Sequence, residues 1–104
     1  MDDIAGRRVL IVDDEAFIRA LLRRCLARLG VGEIREAGNG KAGLAELKEF
    51  APDLVLCDLN MPGMDGIEFL RLLAETAPEL PILIVSGEDK RTLDGALRLA
   101  KGHG

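Results

Sequence analysis

Three short aliphatic runs constrain this chain more than any other feature: Arg8-Val9-Leu10-Ile11-Val12, Leu54-Val55-Leu56-Cys57 and Ile82-Leu83-Ile84-Val85. Each is too short for a globular helix and is bounded by charged, proline or turn residues, which marks a buried strand. None alternates apolar with polar residues, so both faces of the central strands are expected to be covered, as in a parallel sheet flanked by helices.

The segments between them carry the helical period. Phe17, Ile18, Leu21, Leu22, Cys25, Leu26 and Leu29 recur at spacings of three and four, with Arg19, Arg23, Arg24 and Arg28 between them. These apolar positions are read as one inward face, and Gly30 as a left-handed stop. Glu33 to Ala37 reads as a strand, and the charges on both sides of Ile34 place it at a sheet edge. Asn39 caps a second helix from about Gly40 to Phe50, with Leu44 and Leu47 inward. A cluster of turn residues follows Asp58, namely Asn60-Met61-Pro62-Gly63-Met64-Asp65-Gly66. A third helix runs from Ile67 to about Ala77 with Ile67, Leu70, Leu73 and Ala74 inward. A last helix runs from about Asp89 to Lys101, with Leu93, Ala96, Leu97 and Ala100 on one face. The order is strand then helix, four times over. The fold class is therefore α/β, an open parallel sheet with helices on both faces.

Length and composition narrow the functions. The 104 residues make one domain, 1–104, and 48% of them are hydrophobic, enough for a core. There is no Trp or Tyr and the net charge is -4, with a pI near 5.0. That balance excludes nucleic acid as a partner of this domain, which would call for a basic patch or stacking aromatics. The apolar runs are too short to span a bilayer and no signal-peptide segment opens the chain, so no membrane role is expected. Cys25 and Cys57 each sit in an apolar stretch and are read as buried, reduced thiols of a cytoplasmic protein; nothing resembles a zinc ligand set.

The chemistry lies at the ends of the strands. In open parallel sheets ligands gather at the carboxyl ends of the strands, where strand order reverses. The first strand ends in Asp13-Asp14, the third in Asp58 and the fourth in Ser86. With order 2-1-3-4 the first and third strands are neighbours, and three carboxylates converge. Such a cluster repels itself and suits a hard divalent cation; Mg2+ fits, with Mn2+ as an alternative. With donor oxygens neutralised, the Asp58 carboxylate becomes a nucleophile toward phosphorus, and the Ser86 hydroxyl can donate to a phosphoryl oxygen.

Val12-Asp13-Asp14-Glu15, the block from Leu56 through Asp58 to Gly66, and Ile84-Val85-Ser86-Gly87 resemble the three signature blocks of the CheY-like receiver family, in the right order along the whole chain. The resemblance implies a flavodoxin-like receiver of a two-component response regulator, with a sensor histidine kinase or phosphotransfer protein as donor and an output domain or partner protein as target. Asp58 matches the phosphoacceptor. Asp14 and Asp58 match direct magnesium ligands, Asp13 a ligand through water, and Asn60 a ligand through its backbone carbonyl. Ser86 matches the hydroxyl that moves toward the phosphoryl group. Asn60 and Glu88 match positions that tune dephosphorylation. Such a domain is no enzyme beyond its own phosphorylation and dephosphorylation.

Receivers also carry a fifth strand that ends in Lys-Pro, then a fifth helix. Here the chain reads as (βα)4 of that (βα)5. Lys90 and Lys101 do not match the phosphate-binding lysine, and His103 is read as a tail residue. The expected consequences are an uncovered apolar edge at the fourth strand, a homodimer or larger assembly that covers it, and impaired switching. Gly87-Glu88-Asp89 with the Leu/Ala pattern after it resembles receivers joined to cyclic-di-GMP phosphodiesterase (EAL) output domains. Two rivals stay open. One is a haloacid-dehalogenase-type phosphatase, whose nucleophile would instead sit in a DxD pattern on the first strand. The other is a receiver-shaped interaction module that takes no phosphoryl group.

Overall fold

The structure, a computed structural model, describes residues 5–58 and 66–85. Over these residues the chain runs β1 (Arg8–Val12), α1 (Ala16–Arg28), β2 (Glu33–Ala37), α2 (Gly40–Phe50), β3 (Leu54–Cys57), α3 (Gly66–Thr76) and β4 (Ile82–Ile84). The strands form one sheet in the order β2-β1-β3-β4, and every pair is parallel. The chain thus moves outward from β1 to β2, then crosses back over β1 to β3. That reversal opens a crevice at the carboxyl ends of β1 and β3. The last helix read from sequence, Asp89 to Lys101, lies outside the described residues.

Side-chain alternation along the strands divides the core in two. Val9, Ile11 and Leu56 face Ile18, Leu21, Leu22 and Leu26 of α1. Leu10, Val12, Val55 and Cys57 face the other way, onto Phe50, Phe69 and Leu73 from the ends of α2 and the body of α3. Phe50 is fully buried, and the guanidinium groups of Arg8 and Arg35 lie 4.9 and 5.0 Å from its ring centroid. Those contacts give the basic residues at the sheet's lower edge an apolar surface to cover.

The helix ends follow local chemistry. Asn39 accepts a hydrogen bond on Oδ1 from Ala42 N at 2.8 Å, the capping read from sequence. Gly30 adopts φ +83° just past the end of α1, as a left-handed stop requires. The second helix stops differently. Its C-cap, Ala51, holds φ 51° in the left-handed region without being a glycine, and the buried Pro52 follows. No helix of the described residues is long and apolar enough to cross a membrane.

Expectations about faces are corrected at several positions. Phe17 and Leu29 are exposed rather than inward. The buried arc of α1 is Ile18, Leu21, Leu22 and Leu26, with Cys25 only half-buried. Phe17 falls at the rim of that arc, in the first turn and about 40° around the helix from Leu21, and Leu29 lies past the last helical residue, where the helical phase no longer applies. Ile67 and Ala74 point outward, seven residues apart on one side of α3. The face that packs is Gly66, Phe69 and Leu73, and its bulk is Phe69, which is fully buried. The fourth run is less buried than the other two: Leu83 is 56% exposed and Ile84 43%, while Val85 just beyond is buried. Among the described residues only β3 pairs with β4.

Candidate functional site

The main-chain ladder carries two aspartates to one place. Val12 is in register with Cys57, and the Asp58 amide donates to the Val12 carbonyl at 3.0 Å. The Asp13 amide donates to the Ala37 carbonyl at 3.0 Å, which extends the β1–β2 ladder by one residue. Asp13 and Asp58 therefore leave neighbouring strands at the same level. Asp14 is the first residue of the turn into α1. One carboxylate oxygen from each of Asp13, Asp14 and Asp58 lies within 4.8 Å of the others. Asp13 and Asp58 are 1% and 3% exposed, whereas Asp14 is exposed, so the cluster has a dry floor and an open mouth.

Neighbouring groups hold this floor. Asp13 Oδ1 accepts from the Glu15 amide at 2.9 Å and so ties the acidic turn to the start of α1, where Glu15 itself makes no side-chain cap. Arg19 Nη1 donates to the Asp13 carbonyl at 2.7 Å, and Arg19 Nε to Glu36 Oε1 at 2.9 Å. Arg23 Nε takes the other Glu36 oxygen at 2.7 Å. Burial pushes the Glu36 carboxyl up, but the hydrogen bonds and charges of Arg23 and Arg19 outweigh it and hold the group below its ordinary value. The sequence reading placed Arg19 and Arg23 among the polar residues of α1 and missed this link. No local pattern marked it, since β2 carries Glu33 and Arg35 as well as Glu36 and the contact depends on how α1 lies against that strand.

Cys57, one residue before Asp58, is buried, and its thiol donates to the Asp58 carbonyl at 3.3 Å. Burial, then the charges of Asp58 and Asp13, push this thiol up to about 12. It stays a neutral neighbour and adds no soft ligand to the carboxylate set. A donor set of three carboxylates with no imidazole or thiolate fits a hard cation such as Mg2+ or Mn2+. The expected convergence of Asp13, Asp14 and Asp58 is thus present. Asn60, Ser86, Glu88, Lys90 and Lys101 lie outside the described residues, as does the turn at 59–65.

Comparison with known proteins agrees with this geometry. Residues 9–100 match the family model described as the response regulator receiver domain. The chemotaxis protein CheY of Thermotoga maritima is 35% identical over 88 residues, which are 85% of this chain and 73% of that protein. A protein-glutamate methylesterase/protein-glutamine glutaminase of Treponema denticola is 44% identical over 87 residues, 83% of this chain but only 23% of that longer protein. Among solved structures, response regulator protein TrrA of Thermotoga maritima, in complex with Mg(2+)-BeF, superposes with a TM-score of 0.73 at 35% identity. That likeness covers 77% of this chain and 69% of TrrA.

Proposed function

The chain belongs to the response regulator receiver family, and from that premise we propose that it is a phosphoacceptor whose Asp58 takes a phosphoryl group from a phosphohistidine donor. The observation that supports this most is the convergence of Asp13, Asp14 and Asp58 within 4.8 Å at the carboxyl ends of adjacent parallel strands. In the proposed step an Asp58 carboxylate oxygen forms a bond to phosphorus. The phosphorus–nitrogen bond to the donor imidazole breaks, and its electron pair stays on that nitrogen. The product is an acyl phosphate, which water later hydrolyses to restore Asp58.

Asp14 and Asp58 would hold a Mg2+ or Mn2+ ion directly and Asp13 through water, with the Asn60 backbone carbonyl completing the protein ligands. The ion supplies neutralisation of the phosphoryl oxygens, the main requirement of phosphoryl transfer. Burial of Asp13 and Asp58 sets these two carboxylates beneath the exposed Asp14, on the floor of the site. Ser86 donates its hydroxyl to a phosphoryl oxygen in this reading, and Asn60 and Glu88 set how fast water reaches the acyl phosphate.

The donor is a sensor histidine kinase or phosphotransfer protein in the cytoplasm. The target is an attached output domain or a partner protein, and the Gly87-Glu88-Asp89 resemblance points to a cyclic-di-GMP phosphodiesterase (EAL) domain. The exposed Leu83 and Ile84 on the end strand support self-association through β4; light scattering that gives the monomer mass at micromolar concentration contradicts it. Acetyl phosphate tests the phosphoacceptor reading. Wild type gains one phosphoryl group with Mg2+ and none with excess chelator. Equal gain without the metal, or no gain in either case, contradicts the reading.

A further inference from the structure

Arg19 stands behind the acidic cluster, and we propose that it is the positioning residue of the cation site. This rests on the receiver reading above. Its planar guanidinium spans two acceptors on different strands, the Asp13 carbonyl at 2.7 Å and Glu36 Oε1 at 2.9 Å. Glu36 is held in turn by Arg23, whose Nη2 also donates to the Ile34 carbonyl at 3.3 Å. Only about a fifth of the Arg19 side chain and a quarter of Glu36 are exposed (20% and 28%), so water competes little for these bonds.

The consequence reaches Asp14 through covalent geometry. A peptide unit is planar, so holding the Asp13 carbonyl oxygen also places the amide nitrogen and the α-carbon of Asp14, the atom from which its side chain leaves the backbone. Asp13 itself is held at its amide by Ala37, at its carboxylate by Glu15 and at its carbonyl by Arg19. Asp14 is the exposed member of the cluster. Its place beside Asp13 and Asp58 is inherited from the peptide that Arg19 clamps. Arginine suits the task because one flat group carries both donors; a lysine ammonium reaches one acceptor well but does not reproduce the fork.

The Arg23 side chain provides the discriminating control. It shares Glu36 with Arg19, yet its hydrogen bonds go to Glu36 and to Ile34, not to the acidic turn. A purely structural role, pinning α1 to β2, is shared by both arginines. A positioning role belongs to Arg19 alone.

The test is Mn2+ binding to the full chain, followed by the paramagnetic resonance signal of the free ion, for wild type, Arg19→Met, Arg19→Lys and Arg23→Met. Loss of an outer support of a metal ligand weakens binding roughly 10-fold, and that is the effect expected for Arg19→Met. Arg19→Lys falls between Arg19→Met and wild type, and Arg23→Met binds as wild type does. Phosphoryl uptake by Arg19→Met is slow at low Mg2+ and returns to the wild-type rate at saturating Mg2+. Should Arg19→Met not fold, Arg19→Lys against Arg23→Met gives the same comparison. Wild-type affinity in both Arg19 variants, or equal weakening in Arg23→Met, overturns the inference while the receiver reading stands. A wild-type chain without affinity for Mn2+ or Mg2+ overturns the cation site itself.

Discussion

Gly43 of α2 lies against the ring of Phe69 of α3: a β-carbon on Gly43 would stand 3.0 Å from Phe69 Cε1 and 3.1 Å from both Phe69 Cζ and Val12 Cγ2. This is where α2 and α3 close over the β1 side of the sheet, directly beneath the Asp13 end of the strand. Phe69 and Val12 are fully buried, so neither has free space into which it can retreat. Alanine at position 43 gains about 1 kcal/mol of helix propensity but overpacks the contact at a cost of about 1–3 kcal/mol. Gly43→Ala is expected to lose roughly 1 kcal/mol in urea unfolding, and Gly43→Val more. A stabilised Gly43→Ala variant would show that the ring yields.

The second helix ends on a residue that resists its own conformation. Ala51 holds φ 51°, where the side chain of an L-residue crowds the backbone. Relief of that crowding is worth about 1–2 kcal/mol, and glycine returns part of it as extra freedom of the unfolded chain. Ala51→Gly is expected to stabilise the fold by roughly 0.5–1 kcal/mol, read as a higher urea midpoint at unchanged slope. A lower midpoint contradicts the strain.

Cys57 is expected to be chemically silent in the folded chain. Its thiol is pushed up to about 12, against an ordinary value of 9.0, first by burial and then by Asp58 and Asp13. At pH 8 iodoacetamide should leave it unmodified until urea unfolds the chain, as intact mass will show. The same shift has a signed effect on stability. Below pH 9.0 the thiol is protonated in both states. As pH rises from there toward 12, the unfolded chain sheds this proton and the folded chain keeps it, so stability falls. Cys57→Ala should flatten that alkaline decline; an unchanged slope assigns the decline to other groups.

Elements proved easier to read in this sequence than faces. The aliphatic runs marked β1 and β3 to the residue, and the cap at Asn39 and the stop at Gly30 marked the start of α2 and the end of α1, because strand length, capping and left-handed stops are local properties. The side that each helix turns inward is a tertiary property. Phe17, Leu29 and Ile67 fit an apolar period yet lie outside, while Phe69 gained its place because Gly43 left room for its ring. The acidic cluster was legible because parallel strands in a 2-1-3-4 order bring the ends of β1 and β3 together whatever the details of packing. Arg19 was not, since its reach to the Asp13 carbonyl depends on how α1 sits across β2, and no local spacing encodes that.

The central claim is that Asp58, among the three clustered carboxylates, is the one that carries the phosphoryl group. Borohydride reduces an acyl phosphate and leaves homoserine where the aspartate stood, so the modified residue can be identified by peptide mass spectrometry after treatment with acetyl phosphate and Mg2+. Homoserine is expected at position 58 in the wild type and nowhere in Asp58→Asn. Homoserine at Asp13 or Asp14 in the wild type, or no reduced residue in a chain that has gained a phosphoryl group, contradicts the assignment.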